Sequence, residues 1–297
     1  MKNTTILHLI TPAKNASPFD ANMAFDAGFE NIMPYTNVVL NEVTGLVQDA
    51  MFSRSPSAVK LEGVFIGGRD IDLAMDMLNA AKQATFPPFE ISLFADPSGA
   101  FTTAAAMVAK VELFLKKEFN TDLVGKKVAV FGATGPVGGC VAVIAAKQGA
   151  QVDLVAHSSL DDAHNKAENY NQRYGTTIGC VDGMSDIAKQ KVLDNIDVAL
   201  CCAAAGIRVI SAVQIAHSNN LKVIADVNAV PPTGAEGVDV HANGVKIADT
   251  QVVGIGALAI GDLKYKTQHN LLKQMLATDK PVCLEFMAAF EMARSLT

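Results

Sequence analysis

Between Val128 and Gly139 the chain reads VAVFGATGPVGG, four apolar residues running straight into a knot of glycines. Few folds accept that order. An apolar strand has to turn sharply, and the turn has to open a helix. In the spacing Gly132, Gly135, Gly138, the first glycine lets the backbone turn and the second keeps side chains away from an approaching phosphate. The third lets helix and strand pack closely. Pro136 suits the first helical turn, where its missing N–H would have no helical partner anyway. The free amides of that turn and the helix dipole then face an anion. No GK[ST] follows, which disfavours a nucleoside-triphosphate loop. The segment Gly132, Ala133, Thr134, Gly135, Pro136, Val137 and Gly138 is therefore a candidate dinucleotide cradle. Read alone, such a motif is weak evidence, with a tight turn kept for packing as the alternative, so its surroundings decide.

Those surroundings alternate. From Lys126, KKVAVFG reads as a strand, PVGGCVAVIAAKQG as a helix, AQVDLVAHS as a strand and LDDAHNKAENYNQRY as a helix. A short strand near TTIGCV, a helix through SDIAKQKVLDN, a strand at IDVALCCAA, a helix at ISAVQIAHSNN and a strand at LKVIADVN follow. Buried parallel strands read as near-continuous apolar runs, and these do. The pattern predicts an α/β fold: a Rossmann-type doubly wound parallel sheet. Before it, LEGVFIGG and FEISLFADP read as strands, and DIDLAMDMLNAAKQA carries apolar residues at 71, 74, 75, 78 and 81, a helical period. TTAAAMVAKVELFLKKEF places 104, 107, 108, 111, 114 and 115 on one face, and residues 120–125 read as a linker. The expected layout is a smaller N-terminal α/β domain at 1–120, a nucleotide domain at 121–265, and C-terminal helices at 266–297. Those helices, split at Pro281, would pack back on the N-terminal domain.

Composition narrows the function. Half the residues are hydrophobic and the net charge is -6 with no Lys/Arg cluster, which argues against nucleic acid as a partner. The longest apolar candidate for a membrane span, around VVGIGALAIG, is short and broken by glycine, so no membrane partner and a cytoplasmic location are expected. The five cysteines form no CxxC and read as buried thiols. The histidines are scattered without ligand spacing, so no metal is expected, and no GxSxG elbow offers a serine nucleophile. Hydride transfer needs none of these groups. It needs donor and acceptor carbons held close and a suitable charge environment.

The second strand of the nucleotide domain should end beside the adenosine ribose. A carboxylate there selects NAD through the 2'-hydroxyl. This chain offers Ala156, His157, Ser158 and Ser159 instead. With neither a carboxylate to repel a 2'-phosphate nor an arginine to clamp it, NAD and NADP are both expected. His157 is either a partner for the 2'-phosphate or an exposed strand-end residue. Elsewhere, Asp20 in SPFDANMAFDAG is a carboxylate or a helix-start residue. Asp96, Ser98, Thr102 and Thr103 sit at a strand end, where ligands gather but helix caps use the same residue types. GIGALAIGDLKYK reads as a second glycine-rich loop leading to Lys264, and a lone lysine is usually solvated surface.

Taken in order along the chain, FGATGPVGG, ADPSGAFTTAAA, IADVNAVPP and GIGALAIGDLK resemble the NAD(P)-dependent methylenetetrahydromethanopterin dehydrogenases of methylotrophic bacteria. The resemblance covers nearly the whole chain. It implies oxidation of the methylene pterin to its methenyl form with hydride transfer to NAD or NADP, within formaldehyde oxidation. It implies that Lys264 contacts the reduced pterin, with Asp20 beside it as a binding or charge-stabilising carboxylate. Asp96, Ser98, Thr102 and Thr103 would line the substrate cleft, and Asn228 would lie on the nicotinamide side. It further implies a homo-oligomer, a trimer or hexamer. The competing readings are a methylenetetrahydrofolate dehydrogenase, reduction of an unrelated carbonyl, and an NAD(P)-sensing module without turnover.

Overall fold

A computed structural model describes residues 4–278 and 280–297 of the chain. In chain order its elements begin β1 (Ile6–Ile10), α1 (Pro18–Ala27), β2 (Asn31–Tyr35), α2 (Val43–Phe52), β3 (Glu62–Ile66), α3 (Ile71–Ala84), β4 (Ser92–Ala95) and α4 (Ala100–Phe119). Next come β5 (Lys127–Phe131), α5 (Pro136–Lys147), β6 (Gln151–Ala156), α6 (Leu160–Tyr174), β7 (Gly179–Asp182), α7 (Asp186–Leu193), β8 (Val198–Cys201) and α8 (Ala212–His217). The last are β9 (Val223–Asp226), β10 (Asn243–Lys246), β11 (Val253–Ile255), α9 (Ala257–Ala277), β12 (Cys283–Leu284) and α10 (Phe286–Ser295).

These elements build two compact units. One holds the chain through Thr102 with most of the stretch from Tyr265 to Met292; the other holds Thr103–Lys264 with Ala293–Ser295. The division therefore falls in the first turn of α4 and not at the expected boundary near 120. Beyond that turn α4 belongs to the second unit: the Lys110 ammonium donates to Asn243 Oδ1 at 2.9 Å, and Met107 meets the Cys202 thiol at 3.7 Å. The apolar face read from the sequence is the buried one, from Ala104 through Met107 and Val111 to Leu115. Pro97–Phe119 is also long and apolar enough to cross a membrane, which corrects the choice of VVGIGALAIG as the longest such run. However, 78% of its window is buried inside the protein, as a core helix requires.

The first unit is a five-stranded sheet in the order β12-β4-β3-β1-β2, parallel throughout. The chain runs from β1 to one side and returns to build the other, so the sheet reverses direction between β1 and β3. All five residues of β3 and all four of β4 are buried, as central parallel strands require. Phe65 and Phe94 meet edge to face with ring centroids 5.3 Å apart. Truncating either to alanine removes about 3–5 kcal/mol. One charged cluster is buried here: Glu62, 1% exposed, pairs with Arg54 and His8.

The second unit is a seven-stranded sheet in the order β10-β11-β9-β8-β5-β6-β7. Its reversal lies between β5 and β8. The strands are parallel except for β10, which pairs antiparallel with β11 at the edge. That edge hairpin was not read from the sequence, because β10 is half polar and exposed. The segment GIGALAIGDLKYK also departs from its reading as a loop. Helix α9 begins at Ala257 and carries Gly261 and Lys264 in its body. A mid-helix glycine costs about 1 kcal/mol. Burial of Ile260, Leu263, Leu271 and Leu272 along the same helix outweighs it. The tail after Pro281 adds the two-residue strand β12 beside β4 before α10 begins.

Candidate functional site

The glycine turn leaves β5 at Phe131 and enters α5 at Pro136. Gly132 has φ 76, and a Cβ there would lie 2.5 Å from the Cys202–Ala203 peptide. A Cβ on Gly138 would lie 2.3 Å from the Gly132 carbonyl oxygen. Both positions are therefore closed to any side chain by the protein itself. Gly135 differs. Its backbone is extended (φ -78, ψ 164), and an added Cβ would meet only the Gly132 oxygen at 3.4 Å. The chain can therefore accommodate a side chain at Gly135. Gly135 is also the N-cap of α5 and brings no side chain to the helix's free amides.

The turn borders a cavity of about 680 Å³. Gly132, Thr134, Gly135 and Pro136 line it from the turn, Val155 and His157 from the end of β6, and Cys202 to Ala204 from the end of β8. It thus lies outside the carboxyl ends of β5, β6 and β8, at the sheet's reversal, where open α/β sheets bind ligands. Ala133 and Gly138 are buried beneath it and Val137 is half-buried. Its ionisable walls are basic: His157, Lys189 and Arg208 line it, and no carboxylate does. Lys189 and Arg208 were not foreseen in the sequence. Ser158 lies 3.4 Å from His157 Nε2, and Ser159 caps α6 by accepting from the Asp162 amide at 3.1 Å.

Asn228 organises a loop. Its Oδ1 accepts from the amides of Gly206 (3.2 Å) and Val230 (3.0 Å), and its Nδ2 donates to the Pro232 carbonyl at 3.1 Å. It is 5% exposed and does not line the cavity; its bond to Gly206 fixes the start of the stretch that leads to the cavity residues Ile207–Val209. Asp226 anchors the same region, accepting from the amides of Asn228 and Ala235. Burial pushes its carboxyl above the usual range, partly offset by the amides it accepts from. Burial and the Asp226 charge also hold the Cys201 and Cys202 thiols well above theirs, so neither is a ready nucleophile.

In the first unit Asp20 follows β1 and Asp96 and Ser98 follow β4, whereas Thr103 and Lys264 belong to the second unit. Asp20 lies in the first turn of α1, 4% exposed, and accepts from Gln268 Nε2 at 2.9 Å. Gln268 is fully buried, and the sequence reading missed it; its signal is the i, i+4 spacing from Lys264, visible once α9 is read as a helix. Lys264 is half-buried. The Asp96 carboxylate accepts from the amides of Phe101 and Thr102 and from the Thr102 hydroxyl at 2.6 Å. Asp96 and Thr102 are both fully buried (0% exposed) and build the start of α4. Ser98 is exposed, in the left-handed region at φ 54, and donates to the Gly68 carbonyl at 2.8 Å, tying the ends of β4 and β3. Thr103 is half-buried. Among the described residues no three His, Cys, Asp or Glu side chains are grouped to hold a metal.

The model of the methylene-tetrahydromethanopterin dehydrogenase N-terminal family matches residues 18–98. The NAD(P)-dependent methylenetetrahydromethanopterin dehydrogenase of Methylorubrum extorquens is 45% identical over 289 residues, 97% of each chain. The "Bifunctional protein MdtA" of the same organism is 29% identical over 266 residues, 90% of each. Among solved structures, shikimate 5-dehydrogenase from Listeria monocytogenes, in complex with shikimate and NAD, aligns with TM-score 0.52 at 14% identity, covering 100% of this chain and 98% of that one. Ornithine transcarbamoylase from Giardia lamblia gives 0.53 at 10%, covering 93% and 87%. Those two likenesses are of fold alone. With 45% identity across 97% of both chains, the protein belongs to the family of NAD(P)-dependent methylenetetrahydromethanopterin dehydrogenases.

Proposed function

We propose that the chain oxidises methylene-tetrahydromethanopterin to the methenyl form and passes the hydride to NAD or NADP, within formaldehyde oxidation. The observation that carries this is the near-full-length identity to a dehydrogenase of that name, joined to a cavity whose open glycine faces the ligand space. NAD(P) supplies the hydride acceptor. The residues present fit it: Gly132, Thr134, Gly135 and Pro136 would hold the pyrophosphate against the start of α5, and the cavity walls would hold the adenosine.

The chemistry asks little of acid–base groups. Loss of hydride from a carbon flanked by two nitrogens leaves a cation shared between them, and no proton need leave that carbon. The chain has to orient the two reactants and favour the developing positive charge. Asp20, buried and held by Gln268, is the carboxylate assigned to that charge, and Lys264 is assigned to binding the pterin. Ser98 and Thr103 offer hydroxyls to the substrate. Asp96 and Thr102 serve by fixing the start of α4. Asn228 sets the loop that borders the nicotinamide side. The unit through Thr102, with the tail helices that join it, would be the pterin side and the unit Thr103–Lys264 the nucleotide side, in a cytoplasmic homo-oligomer (a trimer or hexamer).

The test is initial rates of NADH and NADPH formation with methylene-tetrahydromethanopterin and methylenetetrahydrofolate in parallel. Turnover with the methanopterin and both nucleotides is expected. Turnover with folate alone moves the protein to another pathway, and nucleotide binding without any turnover makes it a sensor. A Lys264→Ala protein with unchanged turnover and pterin affinity removes the role given to that lysine.

A further inference from the structure

Acceptance of NADP requires a home for a 2'-phosphate bearing a charge of roughly -1.5 to -2 at neutral pH. At the end of β6, where the ribose is read, only His157 and two serines are available, and Ser159 already caps a helix. The structure brings a cation there from elsewhere. The amide of Gly183, just past β7, donates to the Ala156 carbonyl at 3.0 Å. A Cβ on Gly183 would lie 2.2 Å from Val155 Cγ1, so this residue is pressed against the end of β6. The same point lies 3.6 Å from Lys189 Cγ. The stem of Lys189 therefore crosses Gly183 one strand-end away from Ala156 and His157. Its ammonium rests 3.4 Å from the carbonyl of Val209, itself a cavity residue. Its ion-pair partner, Asp186 at 3.2 Å, is 88% exposed, and such a solvated pair is readily exchanged for a phosphate. His157 and Arg208 line the same cavity, but Arg208 is already paired with Glu236 at 2.8 Å, which leaves Lys189 as the cation best placed for a phosphate.

We infer that Lys189, reaching from α7 over Gly183, binds the 2'-phosphate of NADP, so that acceptance of the phosphorylated nucleotide is carried by α7 and not by the end of β6. This rests on the nucleotide occupying the cavity as proposed above. The test is direct titration of the full chain with NADPH and NADH, following nucleotide fluorescence, for the wild type and for Lys189→Ala, Lys189→Arg and Gly135→Val. A charged hydrogen bond to phosphate is worth about tenfold or more in affinity, so Lys189→Ala should weaken NADPH by ~10-fold or more. NADH affinity should stay as in the wild type, Lys189→Arg should keep most NADPH affinity, and 2'-AMP should compete in the wild type but not in Lys189→Ala. Equal weakening of both nucleotides by Lys189→Ala, or no change in either, overturns the inference. Gly135→Val separates the two levels. If it abolishes both nucleotides while Lys189→Ala leaves their ratio unchanged, only the role of Lys189 falls. If it leaves both bound, the cavity placement falls with it.

Discussion

Gln268 Nε2 donates to Asp20 Oδ1 at 2.9 Å, joining the body of α9 to the first turn of α1 in a pair that is almost wholly buried. A buried carboxylate held by a buried amide has a fixed aim. If Asp20 faces the developing cation, losing that aim should lower turnover. Gln268→Ala is expected to reduce kcat about tenfold, the worth of one hydrogen bond to a charged group. The Kd for NADH should not move. Single-turnover rates with saturating pterin, alongside an NADH titration, check both halves.

The glycines of the turn should separate by function. Gly138→Ala sets a Cβ 2.3 Å from the Gly132 oxygen and should destabilise the protein by about 1–3 kcal/mol or more. Gly135→Ala meets only a 3.4 Å contact and should leave thermal stability nearly intact. Its cost should appear as weaker binding of NADH and NADPH alike. Melting curves and nucleotide titrations on the two proteins decide this.

Asp226 carries a pH signature. Burial raises its folded pKa above the ordinary 3.8, so the folded state favours the protonated form. The folded protein then binds more protons than the unfolded chain between 3.8 and the raised value. In that window this group's contribution to stability is lost as pH rises. Asp226→Asn should remove the slope. It should also cost about 1–3 kcal/mol, because each carboxylate oxygen accepts a backbone amide and an NH2 cannot. Denaturation midpoints of both proteins across the acid range, compared pairwise, measure both effects.

Glu62 is 1% exposed and pairs with Arg54, whose own side chain is 16% exposed. Removing the guanidinium leaves the buried carboxylate facing the His8 ring and the Ser53 hydroxyl without its strongest cation. Arg54→Met should destabilise the protein by about 3–5 kcal/mol, measured by urea unfolding. Replacing both partners by apolar residues should recover much of that loss.

The turn from Phe131 to Gly139 was legible because its constraint is local: strand, glycine spacing and helix lie in one stretch. The succession of parallel strands from β5 to β9 was legible for the same reason, and so was the family. The start of α9 was not, since Gly256 and Gly261 read as a loop and burial along one face overrides them. Gln268 stayed hidden behind that misreading. Lys189 and Arg208 could not be seen at all, because α7 and the loop after β8 reach the cavity lined by His157 through tertiary packing and not through local sequence. Asp96 shows a subtler limit. Its position at a strand end was visible, but not that its carboxylate would hold the start of α4.

The contacts at Gly132, Gly138 and Gly183 are backbone against neighbour, with no slack of even a methyl group. An engineer altering coenzyme preference therefore cannot graft the glycine loop as an isolated cassette. Residues 132–138, 183–189 and 202–209 form one mould, and a donor sequence has to be transplanted in all three segments together.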